Sequence, residues 1–533
     1  MRNRLKNCMI LLVAILTFAF IVTPSTTSAG ILQPKGKLTP PSETFTPGDW
    51  FLGSKPPNYS STKPPIVFVQ GKNGSSTSWY GETVYHGIND MYTKAYEAGY
   101  QTVFVQLYDA AGNGSSNQYK NGQLLASMLG QISRHFGGQK VNIVAHSKGG
   151  PDTQAALVHY GAHQYVGRVI TLGSPHHGSN LADLAYSWWA GWLGSLLGQK
   201  DDGTYSLQTG QMAQFRSVTD SNANSRKNNY YTVAGTDKGP AFSALATGGL
   251  YLSSYGANDG LVNEWSTKLP YGIHLFTDSS IDHDNIRTGT KVFSRIEPYL
   301  RSSSVASVAN SLSDSVSDET ITTGTSQYVH GGPLVQNDWV EHSFSVGDSN
   351  TGNITILTAS KTAKVEIVSP SGVISPAKTV KQSNFDEATI FSGATAHTLS
   401  LSNMETGKWT VRMKTPMKND AYLLTTQYSD SKPFVLEMKG KIKEKGQHFK
   451  VKTPANTSIL SNETNVSVHL VDDKGNEIGK RAKVMDESSN SFSGVLPEVP
   501  QSGVYNMTID IVGKSSSGEL FNKTIVRSVY IEK

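Results

Sequence analysis

Ser147 stands between the apolar run "VNIVA" (141–145) and a helix-like stretch that opens with "KGG". A sharp strand-to-helix turn at that point lifts the hydroxyl clear of the sheet's carboxyl edge. It also aims the helix N-terminus at any negative charge formed on a bound ester. Such a turn needs small residues two places before and after the serine. Ala145 and Gly149 supply them, and Gly150 leaves further room. The bland alternative is an ordinary polar residue at a turn, because a small-x-Ser-x-Gly pattern alone is common. A serine hydroxyl attacks an ester only if a neutral imidazole takes its proton and a carboxylate orients that imidazole. The chemistry also needs N–H donors aimed at the developing oxyanion, and the backbone N–H of Lys148 follows the serine directly.

The partners of such a serine lie on loops beyond later strands, the acid before the histidine. "GANDGLVNEW" (256–265) places Asp259 in a Gly-flanked turn, and "SSIDHDNIR" (279–287) places His283 in a polar loop before a helix-like segment. Asp237, just after "YYTVAG", is a competing acid. Asp282 and Asp284 flank the histidine as loop or ion-binding carboxylates. Of the other histidines, His146 points into the packing of the elbow, His176 and His177 precede the acid, and His274 lies in a strand-like run.

The elements that must position these groups follow from periodicity. Up to about residue 300, the runs "PIVFVQ", "QTVFVQL", "VNIVA", "RVITLG" and "YYTVAG" alternate with helical patterns such as "GQLLASMLGQISRHF". That alternation predicts an α/β architecture with a mostly parallel sheet covered on both faces. Residues 301–327 are rich in Ser, Thr and Asp and read as a linker. Period-2 stretches such as "TGNITILTA" and "GVYNMTIDIVG" follow, predicting one or two all-β sandwich-like domains over 328–430 and 431–533.

A chain of 533 residues exceeds one core, in keeping with several domains. Arg2, Arg4 and Lys6 precede an apolar run and "TTSA", so residues 1–29 read as a secretory signal peptide and the mature chain (30–300 for the first domain) as a secreted, extracellular protein. The one cysteine, Cys8, leaves with the leader, so no disulfide or thiol chemistry is expected. The formal charge of +5 falls when that basic leader is removed, which excludes a nucleic-acid footprint.

"VAHSKGG", "GSPHHGS" (173–179), "NDGLV" (258–262) and "DHDNI" (282–286), in this order, resemble secreted bacterial true lipases of the α/β-hydrolase fold. The box "AHSxG" is that of Bacillus-type lipases. The resemblance covers about residues 60–300 and implies Ser147 as nucleophile, Asp259 as acid and His283 as base, with no cofactor required. It also implies the N–H of Lys72, in "QGKNG", as the second oxyanion donor beside Lys148. Two positions depart from the family pattern. Gln70-Gly71 replaces the usual His-Gly. Asn285 stands where many relatives carry a calcium-binding carboxylate, so no metal ligand is assigned.

In resembling lipases, the region after "GSPHHGS" forms a lid or acyl-binding cap. Here it contains Trp188, Trp189 and Trp192, an apolar load suited to a water-insoluble lipid or aliphatic ester at an interface; a core helix is the alternative. Lys439, Lys441, Lys443 and Lys445 alternate, as on one face of a strand, which fits a protected edge or an anionic surface. The C-terminal domains are read as spacers or as attachment modules for a cell surface or polymer. The expected function is a carboxylic-ester hydrolase, a triacylglycerol lipase. The alternatives are an extracellular polyhydroxyalkanoate depolymerase and a surface adhesion protein with a vestigial hydrolase domain.

Overall fold

A computed structural model describes residues 45–533 except 113, 198–199, 306–319, 326, 348–350, 382–390, 392, 429–433, 444–447, 454–463, 479–483, 489–490 and 515–517. The leader expected over residues 1–29 and Lys445 lie outside the described residues. No helix among the described residues is long and apolar enough to cross a membrane.

The first part of the chain builds a seven-stranded sheet. In chain order its elements are β1 (Trp50–Leu52), β2 (Ile66–Val69), α1 (Met91–Glu97), β3 (Thr102–Val105), α2 (Gln118–His135), β4 (Val141–His146), α3 (Gly149–His159) and β5 (Val166–Leu172). The short helices α4 (Asn180–Ala185), α5 (Gly191–Leu196), α6 (Asp202–Ser206) and α7 (Thr209–Thr219) follow. Then come β6 (Asn229–Gly235), α8 (Ala244–Leu252), β7 (Gly272–Asp278) and α9 (Gly289–Leu300). The strand order is β1-β3-β2-β4-β5-β6-β7. All neighbours are parallel except the edge strand β1, which runs antiparallel to β3.

Every residue of β2 and β4 is buried, as strands covered on both faces must be. Alternate side chains serve the two faces. Ile66, Phe68 and Val144 pack against α1 and α9, whereas Val67, Val69, Ile143 and Ala145 pack against α2 and α3. β4 runs centrally between β2 and β5, so the residue that follows it emerges at the middle of the carboxyl edge.

The C-terminal region forms two sandwiches. Strands between Gln327 and Tyr428 make a four-stranded and a five-stranded sheet whose inner faces share one cluster, including Phe344, Ile354, Trp409 and Leu424. Strands between Phe434 and Glu532 make a second pair of sheets around Phe449, Leu470, Met507 and Ile525. The last part of the segment read as linker is itself a strand. β8 (Thr320–Thr325) pairs with Phe434–Lys439 in the second sandwich, and β9 (Gln327–Leu334) then enters the first. The lysine stripe is not one strand face. Lys439 ends a strand of one sheet, while Lys441 and Lys443 pair with Leu520–Glu532 in the other.

The sandwiches are not loosely tethered spacers. They close onto α4, α5 and α8 in a hydrophobic cluster that joins Leu184, Ala185, Leu193 and Tyr251 to Val329, Leu357, Leu423 and Val526. The approach is close enough that a Cβ on Gly331 would lie 2.2 Å from the Trp189 carbonyl oxygen.

Candidate active site

Ser147 follows β4 with φ +51, a left-handed conformation that costs a non-glycine residue on the order of 1–3 kcal/mol. The surrounding backbone holds it there. Its N–H donates to Leu172 O at 2.9 Å and its carbonyl accepts from Gly150 N at 3.0 Å. The small neighbours are required by contact. A Cβ on Gly149 would come within 2.5 Å of Gln70 O, and one on Gly150 within 2.3 Å of Ser174 Oγ.

The structure brings Ser147, His283 and Asp259 into one hydrogen-bonded chain. His283 Nε2 lies 2.9 Å from Ser147 Oγ, and His283 Nδ1 lies 2.8 Å from Asp259 Oδ2. The other oxygen of Asp259 accepts the N–H groups of Val262 and Leu261 at 2.8 and 3.1 Å, so the turn "NDGLV" fixes the carboxylate by its own backbone. His283 N also donates to Asp259 O, clamping the two loops together. All three side chains are buried. In such a chain an imidazole can take the hydroxyl proton while the carboxylate holds its tautomer.

Asp237 is not brought to this chain. Its carboxylate accepts from Gly239 N in its own turn. Asp282 is 2.6 Å from His86 Nε2 and Asp284 is paired with Arg287 at 2.7 Å, so both flanking carboxylates brace the histidine loop. His176 is spent between Gln154 and Thr171, and His274 between Thr232 and Thr277.

Lys72 and Lys148 bracket the serine. A Cβ on Gly71, just before Lys72, would meet Ser147 Cβ at 2.9 Å, so the loop "QGKNG" runs against the elbow. Neither the Lys72 nor the Lys148 backbone N–H donates to an acceptor among the described residues. Their ammonium groups, by contrast, are anchored. Lys148 Nζ is 3.0 Å from both oxygens of Asp152, and Lys72 Nζ is 3.1 Å from Asp201 Oδ2. These carboxylates were not singled out in the sequence; the signal available was an acid four places after Lys148 on a helix.

The three tryptophans part company. Trp188 stacks on His469 at 4.8 Å, and Trp189 donates its Nε1–H to Asp510 at 2.9 Å while packing on His330. Trp192, on α5, is 59% exposed and has the exposed Leu196 one turn away. Below them Asp183 of α4 is fully buried, accepting from Thr209 and from Ser528 of the second sandwich. Burial raises its carboxyl above the ordinary range despite those bonds.

A parallel sheet with crossover helices and a serine elbow at its carboxyl edge is the α/β-hydrolase fold. The sequence pattern described as "alpha/beta hydrolase fold" matches residues 64–257. A triacylglycerol lipase of Vibrio cholerae is 30% identical over 129 residues, covering 24% of this chain and 37% of that protein. One of Burkholderia plantarii is 31% identical over 135 residues, 24% of this chain and 33% of that protein. The chain thus spans about a third of the length of the curated relatives it matches. The crystal structure of the Bacillus licheniformis lipase BlEst2 in its propeptide form extends much further. It is 31% identical, with a TM-score of 0.72, over 92% of this chain and 98% of that one. The chain belongs to the Bacillus-type lipase family of the α/β-hydrolase fold that carries C-terminal β-domains.

Proposed function

We propose that the protein is a secreted serine hydrolase that cleaves carboxylic esters of lipids, a triacylglycerol lipase. The reading is carried by the Ser147–His283–Asp259 chain, at 2.9 and 2.8 Å, on an elbow held at positive φ. Ser147 Oγ attacks the ester carbonyl as His283 Nε2 takes its proton. The oxyanion is received by the N–H groups of Lys72 and Lys148, and His283 then protonates the departing alkoxide. Water, deprotonated by the same imidazole, attacks the acyl-enzyme, and the serine leaves with the proton. Asp259 keeps the proton of Nδ1 in place throughout.

The test is Ser147→Ala against wild type on p-nitrophenyl butyrate, a triacylglycerol emulsion and amorphous polyhydroxybutyrate, with fluorophosphonate labelling of the wild type. Loss of all turnover in the variant and a label on the "AHSKGG" peptide support the reading. A label elsewhere would sink it, and preference for the polymer would move the substrate to an aliphatic polyester.

A second reading concerns the sandwiches. The BlEst2 structure is of a propeptide form, and here the β-domains hold Trp188, Trp189 and Asp183 of the cap. These contacts favour a removable cover over an attachment module.

A further inference from the structure

The two lysines that bracket Ser147 are joined through a continuous, largely buried network that ester hydrolysis does not itself require. Starting from the loop "QGKNG", Lys72 Nζ stands 3.1 Å from Asp201 Oδ2. The same oxygen accepts the Ser115 N–H at 3.2 Å, and the Ser115 hydroxyl donates to Asp109 Oδ1. Asp109 Oδ1 also accepts the N–H of Asn73, the residue after Lys72, at 3.3 Å. On the other side of Asp109, Asn121 Nδ2 donates to Oδ2 and, at 2.9 Å, to Asp152 Oδ2. Asp152 holds Lys148 Nζ at 3.0 Å, and Lys148 Nζ is 3.7 Å from Asp109 as well. Asp109, Asp152 and Lys148 are almost completely buried, and Lys72 is 8% exposed.

The network joins five separate segments of the chain: the loop after β2, the turn after β3, α2, the elbow with the first turn of α3, and the start of α6. Resting on the reading of Ser147 as nucleophile, we propose that Asp109, Asp152 and Asp201 are positioning residues. By gripping the side chains of Lys72 and Lys148 they set the separation and aim of the two backbone N–H groups that receive the oxyanion. The lysine ammonium groups do not touch substrate in this scheme. They are handles by which the fold grips the donors.

The charges make sense on this view. Two ammonium groups face three carboxylates, and an excess negative charge beside an oxyanion would oppose the reaction. Burial pushes Asp152 up to about 7, against the pull of Lys148, which brings the cluster toward balance near neutral pH. Burial disfavours a charged Asp201 too, yet Lys72 and the N–H groups of Thr204 and Ser115 outweigh it and hold that carboxyl below its ordinary range. Burial likewise works against the Lys148 ammonium, but Asp109 and Asp152 outweigh it and raise its affinity for a proton. Lys148 therefore stays a cation that needs its carboxylates.

Asp109→Asn is the central variant, because Asp109 touches both halves of the network. Lys148→Met and Lys72→Met keep each backbone N–H and remove only its handle. Each enzyme is compared per active site, counted by fluorophosphonate titration, on p-nitrophenyl butyrate. A misplaced donor costs up to about a hundredfold in rate, so kcat should fall roughly ten- to a hundredfold while KM changes less than about twofold. The Ki of a trifluoromethyl ketone, which becomes an oxyanion on Ser147, should rise by the same factor as kcat falls. Lys72→Met and Asp201→Asn should not add, since each breaks the same pair. If Asp109→Asn fails to fold, the Lys72→Met and Asp201→Asn pair, at the more accessible end, decides the matter. Normal kcat per titrated site, with only thermal stability lowered, would overturn the proposal. If Ser147→Ala retains turnover, the reading beneath it fails instead, so the two failures are distinguishable.

Discussion

His146 and His283 are joined through the backbone of one and the ring of the other. The Nε2–H of His146 donates to the His283 carbonyl oxygen at 2.9 Å, with the two rings 4.8 Å apart. Because the acceptor is a carbonyl, the His146 proton must reside on Nε2. Burial, followed by the nearby His283 and Arg287, keeps His146 well below the ordinary histidine range, so it is neutral at working pH. The residue before Ser147 thus holds the loop that carries His283.

Replacing His146 with Ala should therefore lower kcat about tenfold by freeing the His283 loop, with His146→Gln recovering part of the loss through its amide N–H. The comparison is made on p-nitrophenyl butyrate at pH 8. Equal activity of both variants and wild type would reduce the contact to packing.

The acid assignment rests on one hydrogen bond. Asp259→Asn should cut turnover by about three to four orders of magnitude, as loss of the orienting carboxylate does in such chains. Asp237→Asn should stay within about twofold of wild type, since its carboxylate accepts from Gly239 N in its own turn and, among the described residues, has no bond to the Ser147 chain. Ser147→Ala combined with His283→Ala should be little worse than either alone. The reverse ranking of the two aspartates in a kcat measurement would displace Asp259.

Acid should weaken the first sandwich. Burial, with His342 beside it, pushes His330 down to about 3, and burial pushes His342 down to about 4. The unfolded chain protonates near 6.5, so below that pH it takes up protons that the folded form refuses. Stability falls as pH drops from about 6.5 toward 4, by about 1.4 kcal/mol per pH unit for each such group. The buried Asp183 and Asp510, raised by burial, contribute with the opposite sign. A His330→Gln/His342→Gln variant should thus show a flatter thermal midpoint between pH 7 and 4 than wild type. An unchanged slope would mean the pair does not govern acid sensitivity.

Cutting the chain between Val305 and Thr320 and separating the fragments tests the cover. Activity on a triacylglycerol emulsion should rise several-fold relative to activity on a soluble short ester, because Trp188 and Trp189 become free to bury into an apolar surface. Only in the cut enzyme should Trp188→Ser and Trp189→Ser lower the emulsion rate. A ratio that does not move on separation counts against masking; insoluble catalytic fragment would show that the shared cluster is needed for folding.

The site was readable where local sterics dictate residue types. Ala145, Gly149 and Gly150 around Ser147 announce the elbow, since larger residues at the two glycines would collide with Gln70 or Ser174. The parallel sheet was readable from fully apolar runs such as "VNIVA". What could not be read depends on contacts between distant segments. Asp109, Asp152 and Asp201 lie in three different segments, and beyond the four-residue spacing of Asp152 from Lys148 nothing local distinguishes them from surface acids. Period-2 strands reveal which residues face inward within a sandwich, yet not that Asp510 and Ser528 look across to Trp189 and Asp183. Trp189 therefore read as a free apolar surface, while in the fold its indole N–H is already claimed.

β8 belongs to the second sandwich, whereas β9, beginning two residues after β8 ends, belongs to the first. The chain coming from α9 is thus woven into the second sandwich before it builds the first. Any exchange of the whole tail between lipases, by recombination in nature or by grafting in the laboratory, should take its seam ahead of Thr320. A seam at Gln327 would leave an edge strand behind on the donor and hand the recipient a sheet with an exposed flank, open to pairing with a second chain.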